Sequence, residues 1–239
     1  MQNEFIPEVE ETPVITALRL RGESLAAAGR RLGLRSGDVL TAINGIPFRG
    51  DEAALAARFA ARGKTGLALT FLRETQSFTV LAETAALGRW ESIPFAPGGA
   101  EEEHKRIDPA GLRNYEVMRS GDGLYDLHPT EASVMALIAP PLWLLQARLW
   151  VHGAIVVAAL VAAAVVSPLL SAVVWLASGL WVRRQAAHFM RMDRHGRGLG
   201  FAGVIAAPSE REAHARHLAV HPEDRYLFAP EPRATEQAA

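Results

Sequence analysis

The feature that most constrains this chain is a stretch of 34 residues, 149–182, without Lys, Arg, Asp or Glu. Its only ionisable side chain is that of His152. One helix of this length would extend about 51 Å, well beyond the ~30 Å hydrocarbon core of a bilayer. A Ser-Pro pair at 167–168 lies in the middle, where proline disfavours helix. The sequence therefore predicts a hairpin of two membrane spans, about 149–166 and 169–189. One long kinked span and a soluble helical core rich in Ala and Val are the alternatives.

Arginine residues flank both outer ends of this stretch, whereas the turn between the two spans has none. Those at the ends are Arg148, Arg183, Arg184, Arg191, Arg194 and Arg197. Because positive charge is retained on the cytoplasmic side, we expect a multi-pass protein of the cell inner membrane with both termini cytoplasmic. The acidic segment 1–11 lacks the basic and apolar regions of a signal peptide, which agrees with this orientation. The lipid bilayer is thus a predicted partner. Small residues in the first span also permit a homo-oligomer through the spans.

The predicted membrane region, residues 131–192, begins with an apolar segment interrupted by two prolines at 140–141. A short helix is expected before them and a new helix after them, since proline suits a helix start. This region resembles an uncharacterised family of small bacterial inner-membrane proteins. The resemblance rests on the run PPLWLLQARLW, the two apolar spans, the basic residues after the second span and a short terminal helix. This resemblance covers about 130–221 and implies a location, with no assigned chemistry.

Residues 12–85 alternate short strands with Ala-rich helices and contain the string LGLRSGDVLTAINGIPF. This string resembles the PDZ family in its ordered glycines, Gly-Asp pair, apolar residues and Asn-Gly turn. The matching residues are Gly33, Leu34, Gly37, Asp38, Val39, Leu40, Ile43, Asn44 and Gly45. The resemblance implies a small, partly open β-barrel with two helices that binds an extended peptide as an added strand. The predicted fold class is therefore α+β: a PDZ-like barrel, a linker over 86–130 with a possible β-hairpin, and an all-α membrane hairpin.

An edge strand offers unpaired N–H and C=O groups that a peptide backbone can satisfy. The predicted docking edge is residues 14–18, and the predicted opposite wall is the helix at 51–62. The predicted peptide-binding residues are Val14, Ile15, Thr16, Ala17, Leu18, Leu55 and Phe59. For Leu55 and Phe59 the favoured alternative is a place in the domain core, because apolar pairs four residues apart usually face inward. The acidic residues at 4–11 disfavour a free C-terminal carboxylate as ligand and favour an internal or basic segment.

The C-terminal part, residues 193–239, contains a predicted helix followed by a tail. Ser209 and Glu212 have the spacing of a capping box at the start of the helix. His214, His217 and His221 share one helical face, and histidine triplets can bind Zn²⁺ or Ni²⁺. Without Cys or a clear acidic fourth ligand, these three are weak candidates. An amphipathic helix is the favoured interpretation, and no cofactor is predicted.

The sequence contains no G-x-S-x-G, H-E-x-x-H, Walker or dinucleotide motif, so no enzyme is predicted. With 25 Lys+Arg against 26 Asp+Glu, nucleic acid is not a predicted partner. The expected function is that of a non-enzymatic, membrane-anchored adaptor or scaffold, whose cytoplasmic PDZ-like domain binds a protein or peptide by strand addition. The alternative is an accessory or regulatory subunit of a membrane protease, enzyme or transporter complex.

Overall fold

A computed structural model describes residues 16–22, 25–62, 65–95 and 106–229. The chain divides into two compact units, Met1–Ala110 and Gly111–Ala239, named here the N-terminal unit and the C-terminal unit. Each unit contains one sheet and several helices, so the chain belongs to the α+β class.

The N-terminal unit is built on an antiparallel sheet with the strand order β5-β4-β2-β1-β6, and β3 pairs with β2. Its strands are β1 Thr16–Leu20, β2 Val39–Ile43, β3 Ile46–Pro47, β4 Leu67–Arg73, β5 Gln76–Ala82 and β6 Trp90–Pro94. Its helices are α1 Ala27–Arg31 and α2 Glu52–Ala61. Leu18, Leu40 and Phe71 are among the fully buried side chains of its core.

Local sequence accounts for several boundaries in this unit. Asn44 and Gly45 have positive φ values of 52° and 75°, and they form the predicted tight turn between β2 and β3. Asp51 precedes α2, and its side chain accepts a hydrogen bond from the Ala54 N–H at 2.8 Å. The predicted turn and helix start are therefore confirmed.

Asp38, in the Gly-Asp pair of the PDZ-like string, has a structural task. It is fully buried and accepts hydrogen bonds from two nitrogens of Arg73, each at 2.8 Å. It also accepts from the Arg35 N–H at 2.7 Å. A buried carboxylate needs such partners, and these ones join the start of β2 to the end of β4.

The C-terminal unit has a four-stranded sheet with the order β10-β8-β7-β9. Its strands are β7 Arg113–Arg119, β8 Leu124–Pro129, β9 Gly200–Ala207 and β10 Arg225–Tyr226. Its helices are α3 Met135–Ile138, α4 Pro140–Gln146, α5 Trp150–Val166, α6 Pro168–Gly196 and α7 Glu210–Val220. One face of the sheet packs Tyr115, Val117 and Leu127 with Ala213 of α7. The other face presents charged residues to the second half of α6.

The predicted linker, 86–130, contains three strands, β6, β7 and β8. The β-hairpin expected within it is confirmed, since the Ser120 N–H donates to the Leu124 carbonyl at 2.8 Å. These strands belong to two different sheets. Their partners β1 and β9 lie far away in sequence, which is why the segment resembles a linker when its residues are considered alone.

The apolar stretch forms two antiparallel helices that meet at the Ser-Pro pair. Ser167 caps α6 by accepting a hydrogen bond from the Leu170 N–H at 3.1 Å. Near the opposite end of the pair, the rings of His152 and Phe189 lie 4.5 Å apart. Val156 and Val182 are buried in the apolar cluster between the helices.

No helix in the described parts of the chain is both long enough and apolar enough to cross a membrane. α5 has 17 residues and so rises only about 25 Å, against the ~30 Å of a hydrocarbon core. α6 has 29 residues, but arginines follow its apolar part from Arg183 onward. The prediction of two membrane spans, and of a multi-pass inner-membrane protein with both termini cytoplasmic, is therefore wrong. The all-α membrane hairpin in the predicted fold class and the membrane anchoring of the predicted adaptor are wrong with it.

Candidate functional site

The strand predicted to receive a peptide, β1, lies inside the sheet. β2 pairs with it on one side, where Leu18 lies opposite Leu40. β6 pairs with it on the other side, over the whole length Thr16–Leu20. At Thr16, Ala17 and Leu18, β6 thus occupies the place of the predicted peptide. Val14 and Ile15 lie outside the described residues.

Leu55 and Phe59, the predicted contacts on α2, belong to the core of the N-terminal unit. They are 0% and 9% exposed, respectively. These two side chains therefore serve packing, in agreement with the interpretation favoured from their spacing.

The sheet edge next to β1 is formed by β6. The Arg21 N–H donates to the Arg89 carbonyl at 2.9 Å, and backbone groups alternate along an antiparallel strand. The backbone groups of Glu91 and Ile93 therefore face β1, and those of Trp90 and Ser92 face away. Within the described part of the chain, no strand pairs with this outer side.

Side chains hold β6 firmly in place. The Trp90 ring is buried and stacks on Phe71, with ring centroids 6.3 Å apart. Its indole N–H donates to the Ala85 carbonyl at 3.3 Å. The Glu91 carboxylate pairs with Arg19 of β1 at 2.5 Å. A fixed edge strand suits a backbone-pairing site, because little ordering of the protein is required on binding.

The three C-terminal histidines lie on or just after α7, and each has different neighbours. The Nδ1 atom of His214 lies 3.0 Å from the hydroxyl of Tyr125. The Nε2 atom of His217 lies 2.9 Å from a carboxylate oxygen of Asp224. His221 ends the helix as its C-cap residue and is half-buried. In the ranges that the structure describes, no group of three or more His, Cys, Asp or Glu side chains can hold a metal ion.

Asp224 joins α7, β10 and β7. The Arg119 guanidinium donates to both of its oxygens, at 2.7 and 2.8 Å, and holds the pKa of this carboxyl below its usual value. Burial lowers the pKa of the His217 imidazole beside it. These contacts place His217 in a structural network that fixes the C-terminal segment to the sheet.

A layer of ion pairs lies between α6 and the sheet of the C-terminal unit. Glu116 of β7 is fully buried and accepts hydrogen bonds from Nε and an NH₂ nitrogen of Arg191, the shortest at 2.7 Å. Asp126 of β8 accepts from Nε of the buried Arg194 at 2.6 Å. α6 is thus held to this face of the sheet through ion pairs.

His128 lies between these two ion pairs and is 2% exposed. Its Nε2 atom is 4.0 Å from Glu116, and its Nδ1 atom is 4.0 Å from Asp126. Both nitrogens are buried, and neither has a hydrogen-bond partner among the described residues. Burial lowers the pKa of this imidazole. A neutral imidazole has a single N–H to donate, whereas two carboxylates flank the ring.

A cavity of about 400 Å³ adjoins this layer. Its walls include Asp126, His128, Arg148 and Phe228. Arg148 has a positive φ of 60°, and its guanidinium carbon lies 4.0 Å from the centroid of the Phe228 ring. Cations and carboxylates both line the cavity, so its charge favours no single class of ligand.

Sequence reasoning missed the edge strand β6 and the charged layer, because it assigned 86–130 to a linker. One signal for the layer was present. Asp126 and His128 are two positions apart on one strand, and Arg191 and Arg194 are three apart on one helix. Each pair therefore shares a face, as expected for two elements that pack through polar groups.

A comparison of the chain with protein-family models finds no match, and a comparison with curated proteins finds no similar sequence. The resemblances of residues 12–84 to the PDZ family and of about 130–221 to a membrane-protein family therefore gain no support from these comparisons. The first stays a prediction, and the location implied by the second is contradicted by the helices.

Proposed function

We propose that the protein is a non-enzymatic adaptor, and that its N-terminal unit binds an extended segment of a partner protein as an additional strand beside β6. The observation that supports this proposal is the one-sided pairing of β6. The N–H and C=O groups of Trp90 and Ser92 face away from β1, and a peptide backbone is complementary to such a row.

This proposal keeps the predicted mode of binding and moves it from β1 to β6. Backbone pairing provides most of the affinity in such sites, so ligands of varied sequence should compete for the same edge. The peptide must be extended and free of proline at the positions that face β6.

The test is Ser92→Pro in the full-length chain. Proline at 92 removes an N–H that points away from β1, so the pairing of β6 with β1 is retained while a donor to the peptide is lost. The matched control is Ser77→Pro on β5, the opposite edge of the same sheet. Arg73 and Gln76 close a two-residue hairpin there, so the Ser77 N–H also faces outward.

Both variants and the wild type are applied to an array of immobilised peptides of random sequence. We expect Ser92→Pro to weaken binding about tenfold or more, and Ser77→Pro to bind like the wild type. Equal binding by all three chains, or no binding by any of them, would overturn the proposal. A loss confined to Ser77→Pro would place the site on β5.

A further inference from the structure

Most of the exposed large apolar side chains in the described part of the chain lie on or next to the helices α3–α6. Of the 25 large apolar side chains that are exposed among the described residues, 20 lie at positions 134–181. At the turn between α5 and α6, Val165, Val166 and Leu169 are 73–83% exposed. Contiguous apolar patches of more than a few hundred Å² are rare on monomeric proteins. An exposed apolar surface of this extent is typical of an interaction site.

Its size matches that of a protein interface. Fifteen of the exposed side chains lie on α5 and α6, and those on one side of the helix pair have a combined area on the order of 1,000 Å². One partner in a stable interface contributes about 800 Å². The surface also lacks Lys, Arg, Asp and Glu from 149 to 182, so two identical copies bring no like charges together.

The exposed residues follow the spacing of packed helices. On α6, Leu169, Val173, Leu176 and Leu180 are separated by four, three and four positions and are 46–76% exposed. On α5, Ala154, Val157, Val161 and Ala164 are separated by three, four and three positions and are exposed. A mean spacing of about 3.5 is that of the seam between helices in a bundle.

The two rows are complementary in size and lie on one side of the helix pair. The row on α5 consists of Ala and Val, and the row on α6 is mainly Leu. Each residue of a helix is rotated by about 100° from the one before it. Measured from Val156 on α5 and from Val182 on α6, which lie between the helices, the two rows lie on the same side of the antiparallel pair. Two copies related by a two-fold axis parallel to the helices therefore place each large row against the small row of the other copy.

We propose that this face is an interface with a second copy of the chain, in which α5 and α6 of both copies form a four-helix bundle. In this two-fold arrangement both copies use the same surface, and each copy supplies one row of large side chains and one row of small side chains.

The test compares two charge substitutions on α5 in the full-length chain. Val161→Arg lies in the row, and Ile155→Arg lies on the opposite side of the same helix. The two native side chains are equally exposed, at 60%. Sedimentation equilibrium is measured in aqueous buffer and in density-matched non-ionic detergent. We expect a dimer for the wild type and for Ile155→Arg. For Val161→Arg we expect a dimer dissociation constant raised about tenfold or more.

Cysteine pairing gives a second measurement that needs no charged substitution. Because the chain contains no cysteine, any disulfide reports an introduced pair. An equimolar mixture of the Val161→Cys and Leu176→Cys chains should form a mixed disulfide dimer on oxidation, and a mixture of Ile155→Cys with Leu176→Cys should not. A monomeric wild type, or a monomer that binds phosphatidylcholine vesicles or another protein through this face, would overturn the proposal. Equal cross-linking of both mixtures would also overturn it.

Discussion

At the scale of single residues, His128 makes the stability of the C-terminal unit depend on pH. Its pKa lies below the ordinary value of 6.5, because burial disfavours the charged ring. The carboxylates of Glu116 and Asp126 oppose this shift, and the guanidinium groups of Arg191 and Arg194 add to it. The unfolded chain therefore binds more protons than the folded chain just below pH 6.5. The contribution of the neutral His128 ring to the stability of the folded chain is fully present above that pH. It is lost as the pH falls toward the pKa of His128 in the folded chain.

The corresponding prediction concerns His128→Gln. We expect the free energy of unfolding of this variant to fall less between pH 7.5 and pH 5.5 than that of the wild type, as measured by urea denaturation. The pKa of His217 is also lowered by burial, so part of the dependence remains in the variant. The control is His188→Gln, at an exposed position of α6. Its free energy of unfolding should change with pH as that of the wild type does. An unchanged pH dependence in His128→Gln would show that the buried ring does not titrate in this range.

At the scale of elements, Gly179 of α6 sets how closely α3 approaches. A Cβ atom built at this position would lie 2.3 Å from the carbonyl oxygen of Leu137. Gly→Ala within a helix ordinarily stabilises by about 1 kcal/mol. Here α3 must move, so we expect Gly179→Ala to lower the free energy of unfolding by about 1–3 kcal/mol. Thermal and urea denaturation of the full chain measure this effect.

Gly196 is the matched control in the same helix. Apart from its chain neighbours and the backbone of its own helix, no atom of the described residues lies within 4 Å of a Cβ atom built there, and the residue lies at the end of α6. Gly196→Ala should leave stability within about 0.5 kcal/mol of the wild type. If both variants behaved alike, the close approach of α3 and α6 would have no energetic role.

Elements with local signals were predictable from the sequence. Ser209 caps α7 by accepting from the Glu212 N–H at 3.3 Å, as predicted for the N-cap residue of the capping box. The Glu212 carboxylate accepts from Arg216 at 3.3 Å. The Ser-Pro pair separates α5 from α6 as expected. The membrane interpretation failed on the length of the two apolar helices, because α5 has only 17 residues and the apolar part of α6 ends at Arg183.

Contacts between distant segments were not predictable. Arg19 and Glu91 are 72 positions apart, and Glu116 and Arg191 are 75 apart. Nothing local to either member of these pairs identifies the other. The edge strand β6 and the charged layer of the C-terminal unit depend on such pairs, so both became visible only in the folded chain.

At the scale of the whole molecule, the division at Ala110 predicts how the chain can be shortened. A fragment of residues 1–110 should unfold cooperatively, because it contains every strand of the first sheet. A fragment of residues 1–86 lacks β6 and the packing of Trp90 on Phe71. We expect it to be less stable by about 3–5 kcal/mol, the usual effect of deleting a buried aromatic side chain.

Thermal unfolding followed by circular dichroism compares the two fragments. Equal melting temperatures would show that β6 contributes little to the sheet, and that β1 can be left without a partner on that side.

The pairing of β6 with β1 also determines when the first unit can be completed on the ribosome. Residue 94 is synthesised about 4–15 s after residue 20, at 5–20 residues per second. During that interval β1 has no β6 beside it, and a nascent chain with an unpaired strand edge is open to wrong pairing. The order of the strands along the chain therefore gives this protein a period during synthesis in which chaperone protection of β1 is most valuable.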